Sequence, residues 1–433
     1  MNSIWFLETE KPSFPSLSGS IKTDVLIIGG GIAGILCAYK LKEQGIDCVL
    51  VEATEICSGI TKNTTAKITF AHGLIYDKLL RRDGRERAKM YLEAQRSALE
   101  EYRRLASFTP CDFELRDSYV YSLYNAKKIE NEVNALESIG QPAELVQNLD
   151  IPLNVAAAVR VIDQAQFNPL KLLFALAKNL PIFENTKIRE IKQGRAEFER
   201  GSIEAKRIIV ATHFPLLNKH GSYFLKMYQH RSYVIALDGA EDVKGMYVDE
   251  AEEGLSFRNY KGLLLLGGGS HRTGKSGGGY RELIKFAKEH YPDAKIVRRF
   301  ATQDCMTLDA IPYIGRYSKN TPDLFVATGF NKRGMTSAMA GAQILADLVQ
   351  DKENEYAVVF SPSRSILHPQ LAVNAAETLI NFITPTAPRC PHLGCALKYN
   401  KEEHSWDCPC HGSRFTVGGE LIDNPATDDL NLK

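Results

Sequence analysis

The chain lacks a surplus of charge of either sign. Its 53 lysines and arginines stand against 52 aspartates and glutamates in 433 residues, so no global field recruits nucleic acid or an anionic membrane surface. It also lacks an unbroken apolar run of membrane-spanning length, because Asp24, Lys40, Gly29, Gly31 and Gly34 interrupt the apolar segment 21–52. The opening MNSIWFLETEKPSFPSL has neither a basic n-region nor an apolar h-region. A secretory signal is therefore not expected, and a cytoplasmic location is the default. Cysteine is sparse before residue 390: Cys37, Cys48, Cys57, Cys111 and Cys305 are scattered, whereas four crowd into 390–410. That distribution suits site chemistry and argues against a secreted disulfide scaffold. What is present is a hydrophobic content of 44%, enough for a large core in two or three domains.

Residues 21–52 read strand, glycine turn, helix, strand. Val25 to Ile28 form a short buried strand, Gly29, Gly31 and Gly34 supply G-x-G-x-x-G, and Ile35 to Leu41 continue as a helix. The first glycine permits a tight turn and the second a close approach of pyrophosphate. The third lets helix and strand pack together, so the helix N-terminus faces the phosphates. Val49 to Val51 form the next strand and end in Glu52, eighteen residues past Gly34, near the spacing of an acid that binds a ribose diol. The competing reading is a glycine-rich turn with no ligand. This unit predicts a dinucleotide site in an α/β fold.

Residues 57–69, CSGITKNTTAKIT, suit a loop whose hydroxyls and amides wrap phosphate or ring edges, or an ordinary turn. Residues 75–106 and 128–148 carry helical periodicity and are expected to cover the sheet. Strands are expected at 187–192 and 196–210, the latter ending in Ala211-Thr212 and returning to the nucleotide sheet. Alternating patterns from 223 to 270 predict an antiparallel substrate roof. Gly267 to Gly269 do not open a helix, so no second dinucleotide fingerprint exists and nicotinamide is not expected as direct reductant. Residues 324–329 form another buried strand. Gly334 precedes a slim helix with Ala338, Ala340, Gly341 and Ala342, whose N-terminus offers free amides. Residues 351–388 read as a docking arm around a helix at 371–383.

The C-terminus carries Cys390-Pro391-His392 and, fifteen residues on, Cys408-Pro409-Cys410-His411. Two thiolates and two imidazoles at this spacing fit a Rieske [2Fe-2S] centre, in which two histidines replace two cysteines on one iron. Tetrahedral zinc held by the same four residues is the competing reading, and it leaves Cys395 and Cys410 idle.

Over residues 1–365 the chain resembles the glycine oxidase and D-amino acid oxidase (DAO) type of FAD-dependent oxidoreductase. The resemblance rests on Gly29 to Glu52, SGITKNTTAK, IIVATH at 208–213, LDAIPYIG at 308–315 and TGFNKRGMT at 328–336. The last 45 residues resemble a Rieske domain. The implied fold class is α/β: an FAD-binding Rossmann-like domain of the glutathione-reductase type (about 20–75, 160–215 and 300–350), interleaved with an antiparallel-sheet substrate domain (about 76–160 and 216–300). A linker at 366–387 and an abbreviated all-β Rieske unit at 388–433 follow. The resemblance implies that Gly29, Gly31, Gly34, Glu52, Ala53, Thr61, Lys62, Asn63, Thr64, Thr65, Ala66, Ile188, Ala211, Thr212, Gly315, Gly329, Gly334, Met335 and Thr336 hold FAD. It further implies Cys390 and Cys408 on one iron, His392 and His411 on the other, a Cys395–Cys410 disulfide shielding the cluster, and a hydrogen bond from Ser413 to a ligand sulfur.

Three departures matter. The arginine that clamps substrate carboxylate in amino acid oxidases of this family is replaced by Asp304, five residues before Asp309. A cationic amine substrate fits that position better. The tyrosine two residues after the Rieske serine is Phe415, which removes a hydrogen bond to a ligand sulfur. The strands that precede C-x-H are nearly absent, so the unit should pack on the flavoprotein body. The expected activity is oxidation of an amine C–N bond, with electrons passing singly through the cluster to an external acceptor, protein or quinone-like. Lys67, Asp304 and Arg333 are the candidate catalytic residues, Arg258 is a weaker candidate for a substrate anion, and His72 and His213 read as ordinary core histidines. The alternatives are an FAD and iron-sulfur carrier or sensor without metabolite turnover, and an oxidase whose cluster is structural.

Overall fold

In the computed structural model, which describes residues 3–217, 220–385 and 388–431, the short apolar runs become a parallel sheet. Strand Ile21–Ile28 pairs in parallel with Cys48–Val51 on one side and with Gly201–Val210 on the other, and Thr321–Thr328 adds beyond it. Both faces of this sheet are covered, as the buried Leu26, Ile27, Leu50 and Ile209 require. Among the described residues the sheet has eight strands, and a nine-stranded, mostly antiparallel one packs beside it, in which Met246–Asp249 pairs in parallel with Glu114–Ser122. The latter includes Met227–Asp238, flanked by Leu263–Arg272 and Lys295–Thr307. This is the expected roof.

Two expectations change in detail. The 196–210 strand is a hairpin, Arg195–Phe198 and Gly201–Val210, because Glu199 and Arg200 turn the chain. The helix expected at 128–148 spans Ala126–Ser138, and Glu144–Val146 is an edge strand on Ala157–Gln166. Gly140, at φ +88°, and Pro142 stop the helix. The long helix Tyr76–Ala106 forms as expected, with a break at Gly84, and its first turn is capped from a distance. Buried Glu132 accepts from the amides of Ile75, Tyr76 and Asp77, which satisfies orphan donors at the positive end of the helix.

The slim helix Gly334–Leu348 lies against Ile32–Glu43, and a Cβ at Gly341 would already touch Ile314 at 3.4 Å. The arm that follows is tied down by Arg364. Its guanidinium makes a bidentate pair with Asp309 (Nε–Oδ2 2.6 Å, Nη2–Oδ1 2.8 Å) and lies 4.0 Å over the Tyr313 ring. The aspartate of LDAIPYIG is thus a structural anchor.

Helix Pro369–Ile383 then lies reversed relative to a usual surface helix. It buries Asn374 and Asn381 and leaves Val373, Leu379, Ile380, Phe382 and Ile383 exposed. The C-terminus forms a four-stranded antiparallel sheet, Lys398–Asn400, Ser405–Asp407, Arg414–Thr416 and Leu421–Asp423. Its core is closed by Arg414, which bonds Asp407, Asp423 and Ser405. Among the described residues no helix is long and apolar enough to cross a membrane.

The Arg364–Asp309 pair is nearly buried, with side-chain exposures of 12% and 13%, so removing one partner strands the other charge. Arg364→Ala should cost about 3–5 kcal/mol in a urea titration. Burial pushes the Asp309 carboxyl up, but Arg364 outweighs it and holds the group below 3.8. A carboxyl depressed by folding stabilises above its unfolded value and loses that contribution on acidification. The difference between wild type and variant should therefore be steady at neutral pH and narrow only below about pH 4.

Candidate functional site

The glycine turn is built by contact between backbones. Gly29 has φ +111° and a Cβ there would sit 2.6 Å from Ala211 O, while a Cβ on Gly34 would sit 1.8 Å from Gly29 O. Neither position admits a side chain, which is the close packing expected of the first and third glycines. Glu52 accepts from Gly30 N at 2.7 Å and Thr54 N at 2.9 Å. Thr61 Oγ1 accepts from Ile32 N at 3.0 Å, capping the helix from the neighbouring loop.

Beside this turn lies a cavity of about 760 Å3, within the usual size of ligand sites. Gly29, Gly31, Glu52, Ala53, Thr61, Thr64, Thr65, Lys67, Ile188, Ala211, Thr212, Asp304, Arg333, Gly334 and Met335 line it. The candidates Gly34, Lys62, Asn63, Ala66, Gly329 and Thr336 stand behind or beside that lining. Gly315 stands apart: its neighbours are Pro362 and Leu348. The first bond within the slim helix runs from Ser337 N to Arg333 O, so the amides of Gly334, Met335 and Thr336 precede the helical ladder.

The titratable groups divide clearly. Lys67 is buried, donates to Tyr247 O at 3.3 Å, and is pushed down to about 7 by burial and the nearby Arg258 charge. Asp304 is pushed up to about 6 by burial, against the pull of Lys332 and Arg231. Arg333 is occupied, donating to His72 O at 2.7 Å and Ala310 O at 3.1 Å. Arg258, 0% exposed, is no substrate anchor. It holds the loop carbonyls of Thr65 and Ala66 (2.6 and 2.9 Å) and lies 5.5 and 5.7 Å from the centres of the Trp5 and Tyr260 rings.

His72 and His213, read from sequence as core residues, both line the cavity. Lys332 was missed. It lines the cavity, donates towards Glu252 O, and follows Asn331 in two consecutive left-handed conformations, φ 52° and 63°. The signal was the Asn-Lys pair just past a strand end, since asparagine tolerates that conformation and marks a turn.

The C-terminal ligand loops repeat one geometry. Gly394 N donates to Cys390 O at 2.9 Å and Gly412 N to Cys408 O at 3.0 Å, with positive φ at both glycines. The rings of His392 and His411 are 5.0 Å apart. The sulfurs of Cys395, Cys408 and Cys410 lie within 4.8 Å of one another, and Cys390 adjoins Cys408 and Ser413. The tightest sulfur group is thus not the predicted ligand pair. The repeated turn, which places one cysteine and one histidine on each loop, favours Cys390 and Cys408 as ligands. His411 is buried, and its Nδ1 has no hydrogen-bond partner among the described residues, as suits an atom that binds metal. No S–S bond links any of the nine cysteines in this structure. Cys395 and Cys410, the pair expected to form a disulfide, have neighbouring sulfurs.

A doubly wound nucleotide sheet, an antiparallel roof and a Cys/His loop pair define a flavoprotein oxidoreductase with an iron-sulfur domain. Comparison agrees: the FAD dependent oxidoreductase (DAO) family matches residues 24–348 and the Rieske [2Fe-2S] domain residues 370–432. The chain belongs to the DAO family, whose domain binds FAD, and its C-terminal Rieske domain binds a [2Fe-2S] cluster. It is 35% identical to the Rieske 2Fe-2S iron-sulfur protein YhfW of Bacillus subtilis (strain 168), over 98% of this chain and 96% of that one. Its fold is that of glycine oxidase from Geobacillus kaustophilus (TM-score 0.66, 19% identity, 79% of this chain and 99% of that). L-proline dehydrogenase from P. horikoshii is similar (TM-score 0.67, 18% identity, 81% and 98%).

Because folding depresses the Lys67 ammonium, the unfolded chain takes up a proton between about pH 7 and 10.5 that the folded chain does not. Stability should rise with pH through that window. Lys67→Met should accordingly be more stable than wild type by on the order of 2 kcal/mol at pH 7, with the difference vanishing near pH 10 in parallel urea titrations.

Proposed function

We propose that the protein oxidises the C–N bond of a small cationic amine and passes the electrons one at a time through the cluster to an external acceptor. The observation that carries this reading is Asp304, an acid on the cavity wall where amino acid oxidases of this type carry a carboxylate-clamping arginine. Burial disfavours the Asp304 anion, and an incoming ammonium relieves that penalty. The names of the structural neighbours, a glycine oxidase and an L-proline dehydrogenase, point to the same bond class. Bound FAD supplies two-electron oxidation of the carbon bearing the neutral amine, and the cluster supplies a one-electron outlet.

The chain's own residues then have distinct tasks. Gly29, Gly31 and Gly34 give the pyrophosphate its close approach, and Glu52 receives the ribose hydroxyls. Thr61 to Ala66, with the amides of Met335 and Thr336, frame the flavin. Lys67, poised near neutrality, takes up the proton that the substrate ammonium must lose. Arg333 positions the turn at His72 and Gly73. Cys390, His392, Cys408 and His411 hold the cluster.

Anaerobic addition of amines should bleach the flavin and then raise the reduced Rieske EPR signal. Asp304→Asn should raise KM for cationic amines roughly ten- to a hundredfold, the worth of one charge-assisted hydrogen bond. Unchanged amine kinetics in that variant would remove Asp304 from substrate binding. Reduction by a protein partner and by no amine would replace the enzyme reading with a carrier.

A further inference from the structure

The loop that carries Cys408 and His411 is held by the flavoprotein body at every carbonyl from 409 to 412. Arg272 donates from Nε to Pro409 O at 3.0 Å and from Nη2 to Cys410 O at 3.1 Å. Gln229 donates to His411 O at 2.8 Å, and Gln303 to Gly412 O at 2.8 Å. The two glutamines are fixed in turn. Gln303 Nε2 also donates to Gln229 Oε1 at 2.7 Å, and Thr273 Oγ1 donates to Gln303 Oε1 at 3.0 Å. Gln229 is 1% exposed and Gln303 0%.

No slack remains at this contact. A Cβ on Gly412 would lie 2.5 Å from Gln229 Cβ, and one on Gly274 would lie 2.6 Å from Pro409 N. Strand alternation gives the arrangement a second side: Thr302 and Asp304 line the cavity while Gln303, between them, faces the ligand loop.

We propose that Arg272, Gln229 and Gln303 are positioning residues of the Rieske cluster, fixing its ligand loop on the flavoprotein body and setting its reduction potential. The reduced cluster carries one more negative charge than the oxidised one. Three side chains that draw electron density from the loop carbonyls, one of them a guanidinium, favour the reduced form. The inference rests on the cluster alone and is independent of the substrate.

The test is an EPR-monitored redox titration of the full-length, cluster-loaded protein. Arg272→Gln should lower the reduced-to-oxidised ratio at fixed potential about tenfold, a midpoint shift of about −59 mV for one electron. Gln303→Leu should shift the midpoint in the same direction and alter the g-values. Arg272→Lys, which keeps the charge, should recover most of the shift. Arg281→Ala serves as control, because Arg281 bridges Glu402 at 2.8 Å on the Rieske sheet but touches no ligand-loop carbonyl. Wild-type midpoints in both Arg272→Gln and Gln303→Leu would overturn the proposal. So would an equal shift in Arg281→Ala, which would report loosened docking. If Arg272→Gln does not load a cluster, Gln303→Leu and Arg272→Lys decide by the same criteria.

Discussion

The structure depends on backbone meeting backbone with no side chain between. At Gly29 and Gly34 this contact brings strand, turn and helix together so closely that one methyl group would part them. The helix amides that such a turn exposes are what a pyrophosphate needs, and the capping hydroxyl of Thr61 arrives from the loop that closes the site. The same device recurs between the domains. Gly274 lets the Pro409 backbone of the Rieske ligand loop lie against the body, and Gly412 lets the same loop close on the Gln229 side chain. Close approach at both places follows from the missing Cβ and makes polar pairing compulsory, since carbonyls so buried must find donors.

That requirement explains why the abbreviated Rieske unit can exist. Four short strands bury a small core of cysteines, Leu397, Phe415, Ala426 and Leu430, too little apolar surface to stabilise such a unit alone. The body supplies the remainder through Arg272, Gln229 and Gln303, through the ion pair of Arg231 with Glu403, and through Asn424, which donates to Phe214 O at 2.9 Å. Segment 421–429 reaches the wall of the cavity itself. Cluster domain and flavin domain therefore share a surface.

Much of this was legible in the sequence because local chemistry decided it. The strand, glycine turn, helix and Glu52 follow in sequence order, and the Cys/His spacing is a property of two short loops. That the segment 196–210 returns to the nucleotide sheet was readable from its apolar run, whereas its parallel pairing with 21–28 came only with the fold. What escaped depended on distant pairing. Arg258 in SFRNYKG looks like a site cation, and only the fold shows it beneath Trp5, bonded to the 65–66 carbonyls. Arg364, in a stretch that reads as linker, reveals its purpose only once Asp309 lies opposite. Gln229 and Gln303 carry no motif at all; neutral amides in strands are silent until a loop of exposed carbonyls is laid over them.

The exchange of arginine for Asp304 is best understood together with Lys332. An acid alone on a buried wall would protonate, and a lysine alone would lose its proton. Each is pushed towards neutrality by burial and held back by the other's charge. The two opposite charges on one cavity wall therefore offset each other in part. Gln303, adjacent along the strand, donates to Gly412 O on the loop that carries Cys408 and His411, so a single strand forms part of the cavity wall on one side and the seat of the C-terminal domain on the other.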